Sequence, residues 1–306
     1  MLAAVLAFVR LSRLKFLAGG IACGALGTAI AVALGARFDL AAYALAQLTI
    51  TAFHLMTHYT NDYFDRAADV RSVRTPYSGG SGTLVDGSLA PPVALIASGV
   101  CATIGFGGAF SLAVGGRAPI AAGFAVAIGM LAWAYSAPPV RLLARGLGEM
   151  DTALVVAVLV PLCAFAAQRP PLGGFGIALA TTLPAAAAIF AMMLAVEYPD
   201  LASDAIGGKR NLVVRAGPRR ARAFGLVAIV ATYVAVGIAI ARGAPPALGF
   251  VEATSVPLGI GLARKFAMRA TPGDISDDEA LAGNGVAFFF VVSLDALLAY
   301  VAGLRV

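Results

Sequence analysis

The residues best suited to chemistry are acids that follow two separate apolar runs. The first group is Asn61, Asp62, Asp65 and Asp69, which comes directly after an apolar run ending near Thr60. In a continuing helix these side chains lie on one side. Asp65 and Asp69 are four residues apart and repel each other, whereas a cation between them would reverse that effect. A solvated helix end with ordinary surface acids is the alternative interpretation.

The second group repeats this pattern and weakens that alternative. Glu197, Asp200 and Asp204 also follow an apolar run and have the same spacing as three acids of the first group. Two glycines after them allow a turn that returns Lys209 towards the carboxylates. Oxygen ligands without cysteine favour a hard cation such as Mg²⁺, which takes one or two carboxylates plus substrate phosphates. Both groups therefore predict a Mg²⁺ site that binds a phosphorylated substrate.

The composition is that of an integral membrane protein. The chain has 306 residues, of which 60% are hydrophobic and only 12% are charged, whereas soluble domains carry about 25% charged residues. A membrane-spanning helix needs about 20 apolar residues, and the sequence predicts nine such helices. Their approximate cores are 16–35, 40–60, 90–114, 118–136, 152–168, 173–196, 223–241, 244–262 and 285–304.

We therefore expect an all-α fold, a polytopic membrane bundle of nine helices formed by a single domain over 1–306. Each acid group follows an even-numbered span, which hints at two related halves, at about 10–145 and 146–306. The apolar stretch before Arg10 is too short to span a bilayer and precedes its basic residues, so it predicts an interfacial lead-in rather than a signal peptide.

Basic residues are distributed unevenly between the two sides of this bundle. Most of the 22 lysines and arginines, including those beside both acid groups, fall on the side of the N-terminus. The arginines on the opposite side are Arg37, Arg117, Arg169, Arg242 and Arg305. Because cytoplasmic loops carry the excess of Lys and Arg, we expect a cytoplasmic N-terminus, a cytoplasmic-side active site and a cell (inner) membrane location. Attraction to anionic lipid explains the net charge of +6 without nucleic acid.

Two carboxylate groups beside basic residues on one membrane face indicate chemistry on a diphosphate. Metal ions bridge the acids to the diphosphate, while lysine and arginine take up charge on the departing oxygens. The membrane body supplies an apolar tunnel for a lipid tail. Ionising an allylic diphosphate leaves a carbocation, which needs a water-poor pocket until an acceptor attacks. We expect Asp65, Asp200 and Lys209 to be the catalytic residues of this transfer.

Loops on the same side add further candidates. The glycine-rich loop 77–83 is able to cradle phosphate, although an ordinary flexible loop is the default interpretation. The basic residues assigned to the diphosphate from their position are Arg66, Arg71, Arg141, Arg145, Lys209 and Arg215. His58, one turn before the acids, and Tyr135 are candidates for contact with the acceptor. Hydrogen bonding within the bundle is the alternative for His58.

Together these motifs resemble the UbiA superfamily of intramembrane aromatic prenyltransferases. The resemblance is carried by Asn61-Asp62-x-x-Asp65-x-x-x-Asp69, by Asp200-x-x-x-Asp204 and by the nine predicted spans. The loops at 79–82, 135–136 and 145–149 are most similar to the branch that prenylates 1,4-dihydroxy-2-naphthoate in menaquinone biosynthesis. The resemblance implies Mg²⁺, a polyprenyl diphosphate donor and a lipophilic aromatic acceptor.

The resemblance also implies roles for individual residues. Asn61, Asp65, Asp200 and Asp204 match the metal-binding positions of the family, with Asp62, Asp69 and Glu197 as the flanking acids. Lys209 and Arg13 match diphosphate contacts. The sequence departs from the family pattern at Asn211, where threonine is common, and at Glu197, where the naphthoate branch has Asn or Asp. Both departures leave the acceptor open more than the reaction.

Two alternatives to this function remain open at the level of sequence. The intramembrane acids Glu252 and Asp295 suit an ion-coupled transporter, although the polar residues concentrate at one membrane face, which favours the enzyme. The second alternative is a UbiA-type enzyme with another acceptor, such as 4-hydroxybenzoate, a chlorophyllide-like molecule or a glycerol lipid. The sequence assigns no role to His54, Glu252 or Asp295, and gives no oligomeric state.

Overall fold

Helices form all the regular structure of the described residues. The computed structural model describes residues 2–72, 74–114, 118–268 and 275–303. Its α-helices are α1 (Leu2–Ser12), α2 (Leu17–Ala33), α3 (Leu40–Asp69), α4 (Pro91–Ala113), α5 (Pro119–Ser136), α6 (Gly148–Leu154), α7 (Val160–Ala167), α8 (Phe175–Glu197), α9 (Leu201–Ile206), α10 (Leu212–Ala216), α11 (Pro218–Ala241), α12 (Ala247–Glu252), α13 (Val256–Met268) and α14 (Ile275–Gly303). The predicted all-α class is confirmed.

Eight helical segments of the described chain are long and apolar enough to cross a membrane. Their bounds are Leu2–Ala33, Leu40–Asp69, Pro91–Ala113, Pro119–Ser136, Gly148–Ala167, Leu172–Glu197, Pro218–Ala241 and Ser276–Gly303. The predicted eighth span, 244–262, is not among them. It forms the short helices α12 and α13, separated by a 3₁₀ turn at Ala253–Ser255, and Glu252 interrupts its apolar sequence. The predicted count of nine is therefore not reproduced.

The predictions about sidedness and internal repetition are not tested by the fold. Arg117 and Arg305, two of the arginines assigned to the outer side, lie outside the described residues. The cytoplasmic position of the N-terminus stays a prediction, as do the single domain over 1–306 and its two related halves.

Glycines allow close packing between the membrane helices. A side chain at Gly27 of α2 would overlap the backbone carbonyl of Pro161 in α7. Gly105 of α4 and Gly129 of α5 pack against the ring of Phe53, which is fully buried in α3. Small residues bring helix backbones together in this way in membrane proteins, where dispersion replaces the hydrophobic effect as the main attraction between helices.

Helix α3 and helix α8 deliver the two acid groups to the same end of the bundle. The N-terminus of α3 is capped by Asp39, whose carboxylate accepts a hydrogen bond of 3.0 Å from the backbone N–H of Ala42, as expected of an N-cap aspartate. After α8 the chain turns into the short helix α9. Ser72 follows the first acid group, and Ser203 lies within the second. Their hydroxyl oxygens are 2.8 Å apart, which links the two segments.

The N-terminal helix leads into the bundle through a sharp turn. The exposed apolar side chains of α1 are Leu2, Val5, Leu6, Phe8 and Val9, which fits the predicted interfacial lead-in. Between α1 and α2, Arg13 adopts a left-handed backbone conformation with φ of 46°, which costs a non-glycine residue about 1–2 kcal/mol. The turn directs the Arg13 side chain towards the acids of α3.

Candidate active site

A cavity of about 260 Å³ extends from the acid groups into the apolar body of the bundle. One face of α3 lines it with Ile50, Phe53, His54, Thr57, His58, Asn61, Asp65 and Asp69. At 1.5 Å per residue, this face runs for about 28 Å along the helix axis. The acid end is charged, whereas the far end is formed by apolar residues of α3, α5, α8 and α14, including Ile128, Ile189 and Phe289.

Lys209 joins the two acid groups. Its Nζ lies 3.3 Å from Oδ2 of Asp65 in α3 and 3.5 Å from Oδ2 of Asp204 in α9. The same Asp204 oxygen accepts a hydrogen bond of 2.8 Å from the amide of Asn211. Asn211 also caps α10, because its side-chain oxygen accepts from the backbone N–H of Val214 at 2.9 Å. The predicted return of Lys209 towards the carboxylates is what the structure shows.

Burial and mutual charge shift the ionisation of the residues beyond the end of α8. Burial raises the pKa of Asp204 to about 7, although Lys209 acts in the opposite direction. Burial likewise raises the pKa of Asp200, against the effect of Lys209. Burial lowers the pKa of Lys209, but Asp65 and Asp204 outweigh it and hold the pKa well above its ordinary value. The lysine is therefore a permanent cation, whereas the buried acids favour an additional cation nearby.

Arg13 supplies a second positive charge at the mouth of the cavity. Its guanidinium forms an ion pair with Asp62 and lies 3.4 Å from the amide oxygen of Asn61. Asn61 in turn donates to Oδ2 of Asp65 at 2.8 Å and to Oγ of Ser136 at 3.2 Å. Asp62 does not line the cavity, because Arg13 covers its carboxylate.

The glycine-rich loop crosses both acid groups and binds them through its backbone. The N–H of Gly79 donates to Oδ2 of Asp200 at 3.1 Å. The N–H of Ser81 lies 3.2 Å from Oδ2 of Asp62, and the Ser81 hydroxyl donates to the same oxygen. Gly80 has φ of 66°, and a side chain there would overlap the Asp69 carboxylate. These two N–H groups are thus occupied by carboxylates, so they do not form the phosphate cradle considered from the sequence.

The donor set fits a hard cation that completes its coordination with substrate oxygens. Oδ1 of Asp200 is buried and has no hydrogen-bond partner within the described part of the chain. The cavity is lined by one arginine, one lysine and six acids. The basic residues are Arg13 and Lys209, and the acids are Asp65, Asp69, Asp151, Glu197, Asp200 and Asp204. In the part of the chain that the structure describes, no three His, Cys, Asp or Glu side chains converge on one ion position. Mg²⁺ held by one or two carboxylates and phosphate oxygens matches this arrangement.

Both acceptor candidates line the cavity. Nδ1 of His58 lies 2.8 Å from the backbone carbonyl of Ser12. Because a carbonyl only accepts, Nδ1 carries the proton and Nε2 is left as an acceptor. The Tyr135 hydroxyl interacts with Lys209 and with the side chain of Thr152. Tyr135 thus connects the charged end of the cavity to α6.

Five arginines assigned to the diphosphate do not line the cavity. They are Arg66, Arg71, Arg141, Arg145 and Arg215, and all five are exposed. Arg71 donates to the carbonyl of Ala67 at 2.7 Å, Arg145 donates to that of Pro139 at 2.9 Å, and Arg215 donates to that of Arg145. Three of the five thus bind backbone carbonyls, and none of the five lines the cavity. The geometry therefore does not support their assignment, which stays a prediction.

The structure adds polar residues of α6 that the sequence interpretation did not single out as site residues. Glu149 is fully buried and accepts a hydrogen bond of 2.6 Å from the backbone N–H of Leu212. Its carboxyl also interacts with that of Glu197. Asp151 and Thr152 line the cavity. An available signal was that Asp151 lies at the start of a predicted span, where ionisable residues are rare and mark function.

The fold and the site together define a polytopic helical membrane protein with one internal cavity. One end of the cavity is lined by acids, Arg13 and Lys209, and the other end is apolar. The model of the UbiA prenyltransferase family matches residues 18–294, so the chain belongs to this family. No curated protein matches the chain. Members of the family are prenyltransferases, which favours the enzyme over the transporter.

Solved structures of similar fold include structures of UbiA homologues. A structure of digeranylgeranylglyceryl phosphate synthase has a TM-score of 0.65 at 13% identity and covers 98% of this chain and 99% of that chain. A UbiA homologue from Archaeoglobus fulgidus bound to DMAPP and Mg²⁺ has a TM-score of 0.62 at 15% identity, covering 93% and 99%. The apo structure of a UbiA homologue from Aeropyrum pernix K1 has a TM-score of 0.60 at 18% identity and covers 93% of this chain and 96% of that chain. At these identities the likeness shows the fold.

Proposed function

We propose that the protein transfers a polyprenyl group from an allylic diphosphate to a lipophilic aromatic acceptor, with Mg²⁺ as cofactor. The observation that carries this proposal is the cavity itself, in which carboxylates and two buried basic groups meet an apolar passage. Homologues from Archaeoglobus fulgidus bind DMAPP or GPP together with Mg²⁺, which supports the same donor class here.

The proposed division of labour follows the polarity of the cavity. The diphosphate lies at the acid end, where Asp65, Asp200 and Asp204, with Asn61, would hold Mg²⁺. When bound, Mg²⁺ neutralises charge on the diphosphate and acts as a Lewis acid. The prenyl tail lies along the apolar face of α3 towards Ile50. Phe53 and Ile50 give this part of the face an apolar surface.

Lys209 and Arg13 stabilise the leaving group in this scheme. The bond between the donor C1 and the bridging oxygen breaks, and its electron pair leaves with the diphosphate. Negative charge on the diphosphate therefore grows during the step, so positioned cations favour the transition state over the bound substrate. A ring carbon of the acceptor then bonds to C1 and releases its proton, which the departed diphosphate takes up. Asp62 and the loop at 79–82 hold Arg13 and Asp200 in position for this step.

The acceptor that we favour is 1,4-dihydroxy-2-naphthoate, as in menaquinone biosynthesis. The loop motifs at 79–82, 135–136 and 145–149 support this choice by their similarity to that branch. We further propose that the enzyme lies in the cell (inner) membrane with its N-terminus in the cytoplasm, because the basic loops accompany both acid groups.

One assay tests the function. Purified protein in lipid nanodiscs is given Mg²⁺, labelled prenyl diphosphates of several lengths, and a panel of acceptors: 1,4-dihydroxy-2-naphthoate, 4-hydroxybenzoate and a glycerol phospholipid precursor. The expected result is prenylated naphthoate that requires Mg²⁺. Asp65→Asn serves as the inactive variant. Glu252→Gln is the matched control, because Glu252 is a buried acid that does not line the cavity. If neither aromatic acceptor is prenylated, the proposal is refuted.

A further inference from the structure

The wall of the cavity formed by α6 carries an acid that the diphosphate chemistry does not use. Asp151 is 8% exposed and lines the cavity. Its Oδ1 is buried and has no hydrogen-bond partner among the residues that the structure describes. An unpaired buried carboxyl oxygen is costly, so a ligand that donates a hydrogen bond to it would recover that cost.

Asp151 lies on α6, apart from the helices that carry the two acid groups. Among residues 2–72, 74–114, 118–268 and 275–303, Lys209 forms ion pairs with Asp65 and Asp204 and none with Asp151. Asp151 therefore does not belong to the group of acids that would bind Mg²⁺ and the diphosphate.

Asp151 lies at the boundary between the charged and the apolar parts of the cavity. Its neighbour Thr152 interacts with the hydroxyl of Tyr135, which in turn interacts with Lys209. On the other side, Val155 and Val156 continue the lining as an apolar wall. A π-helical turn at Val155–Leu159 follows α6 and adds one residue to the helical register. Such turns inside α-helices are frequent at functional sites.

We propose that Asp151 binds the acceptor by accepting a hydrogen bond from an acceptor hydroxyl at Oδ1. This inference rests on the proposed function, since it assigns the second substrate to a subsite of the same cavity. The hydroxyl is held where the leaving diphosphate and the apolar tail of the donor meet, which places the acceptor beside C1. Asp151 selects acceptors that present a hydroxyl, rather than a carboxylate, to the α6 wall.

Two substitutions test this role against a matched control. Asp151→Leu replaces both carboxyl oxygens by methyl groups and keeps the branching of the side chain. Asp151→Asn keeps the side-chain size and one oxygen that accepts a hydrogen bond. Glu252→Gln is the control for replacing a buried acid elsewhere in the bundle. The probes are 1,4-dihydroxy-2-naphthoate, 4-hydroxybenzoate and the methyl ethers of both, with donor and acceptor concentrations varied separately.

The expected result is a change confined to the acceptor. For Asp151→Leu the acceptor KM rises by roughly ten- to a hundredfold, the range of a hydrogen bond to a charged group, while the donor KM and the Mg²⁺ requirement stay unchanged. The wild type discriminates against the methyl ethers, and Asp151→Leu loses this discrimination. Asp151→Asn retains part of it. An unchanged acceptor KM, or an equal rise in donor KM, overturns the inference.

Binding without turnover separates this inference from the proposed function. Calorimetry measures the affinity of the same hydroxylated probes and methyl ethers for wild type, Asp151→Asn and Glu252→Gln in the absence of donor. If the wild type binds a hydroxylated probe in an Asp151-dependent manner but transfers no prenyl group, the proposed function fails and the subsite stands. If the wild type binds no probe, or binds phenols and ethers equally, the subsite is refuted. The asparagine variant keeps the test valid where the leucine variant does not fold.

Discussion

Replacing Lys209 by methionine is the sharpest test of how the site handles charge. Lys209→Met keeps the length of the side chain and removes the ammonium that lies 3.3 Å from Asp65 and 3.5 Å from Asp204. Loss of one partner from a buried ion pair lowers the free energy of unfolding by about 3–5 kcal/mol. The Lys209 side chain is 14% exposed, so solvent screens part of the interaction. We therefore expect Lys209→Met to lower the free energy of unfolding by about 3 kcal/mol, the lower end of that range.

The same substitution should slow catalysis more than it weakens binding. Removing one preorganised group that stabilises developing negative charge lowers kcat by about 10²–10³. Donor KM should change less than kcat, and the order of preference among acceptors should stay the same. Lys209→Arg should restore part of the rate, since it keeps the charge but not the compact contact.

The assay combines kinetics with thermal unfolding in nanodiscs, with and without Mg²⁺. Mg²⁺ should stabilise Lys209→Met more than the wild type, because a cation can then replace the missing ammonium between the carboxylates. Lys265→Met is the control, since Lys265 lies on α13 and does not line the cavity. If Lys209 merely anchors the chain in lipid head groups, kcat and the unfolding temperature will resemble those of the control, which would refute the reasoning.

Three further predictions test the metal site, the tail passage and the topology. Asp65→Asn and Asp200→Asn should each lower turnover by at least about a hundredfold without preventing folding; rates within a few-fold of wild type would exclude them as ligands. Ile50→Trp should reduce turnover of long prenyl diphosphates more than of dimethylallyl diphosphate, and equal losses would contradict the assigned passage. Cysteines at exposed Arg37 and Val85 should react with impermeant reagents from opposite membrane sides, whereas labelling from the same side would contradict the topology.

The sequence predicted which residues of each acid group share a face because that depends on local helical spacing, and it predicted their meeting because both groups follow spans that end on one membrane face. Helical spacing aligned Asn61, Asp65 and Asp69, and all three line the cavity. The glycines before Lys209 allowed the turn that returns its ammonium to Asp65. The fate of Asp62 was beyond such rules. It lies on much the same side of α3, yet contacts with Arg13 and with Ser81 cover it, and contacts between distant segments leave no local signal.

The eighth predicted span and the arginines show the same limit. Hydropathy marks an apolar run but does not reveal that Glu252 precedes a 3₁₀ turn between α12 and α13. The sequence shows which loops carry arginines but not where each side chain lies. In the structure, Arg13 lines the cavity and Arg145 donates to a backbone carbonyl. The left-handed turn at Arg13 causes part of this difference, and nothing in its immediate sequence announces that conformation.

The polarity of the cavity reconciles two opposing demands of prenyl transfer. A departing diphosphate needs concentrated positive charge, whereas a carbocation needs surroundings that neither bind nor deliver water. A single face of α3 meets both demands, because it changes from Asp65 through His58 to Phe53 and Ile50 within about four turns. Helical periodicity keeps these residues on one line. In the proposed mechanism, the acids at one end of α3 would hold the cations that favour ionisation, and the other end of the same helix would shield the tail. Moving an acid one turn deeper would bring water and a competing charge to the carbocation.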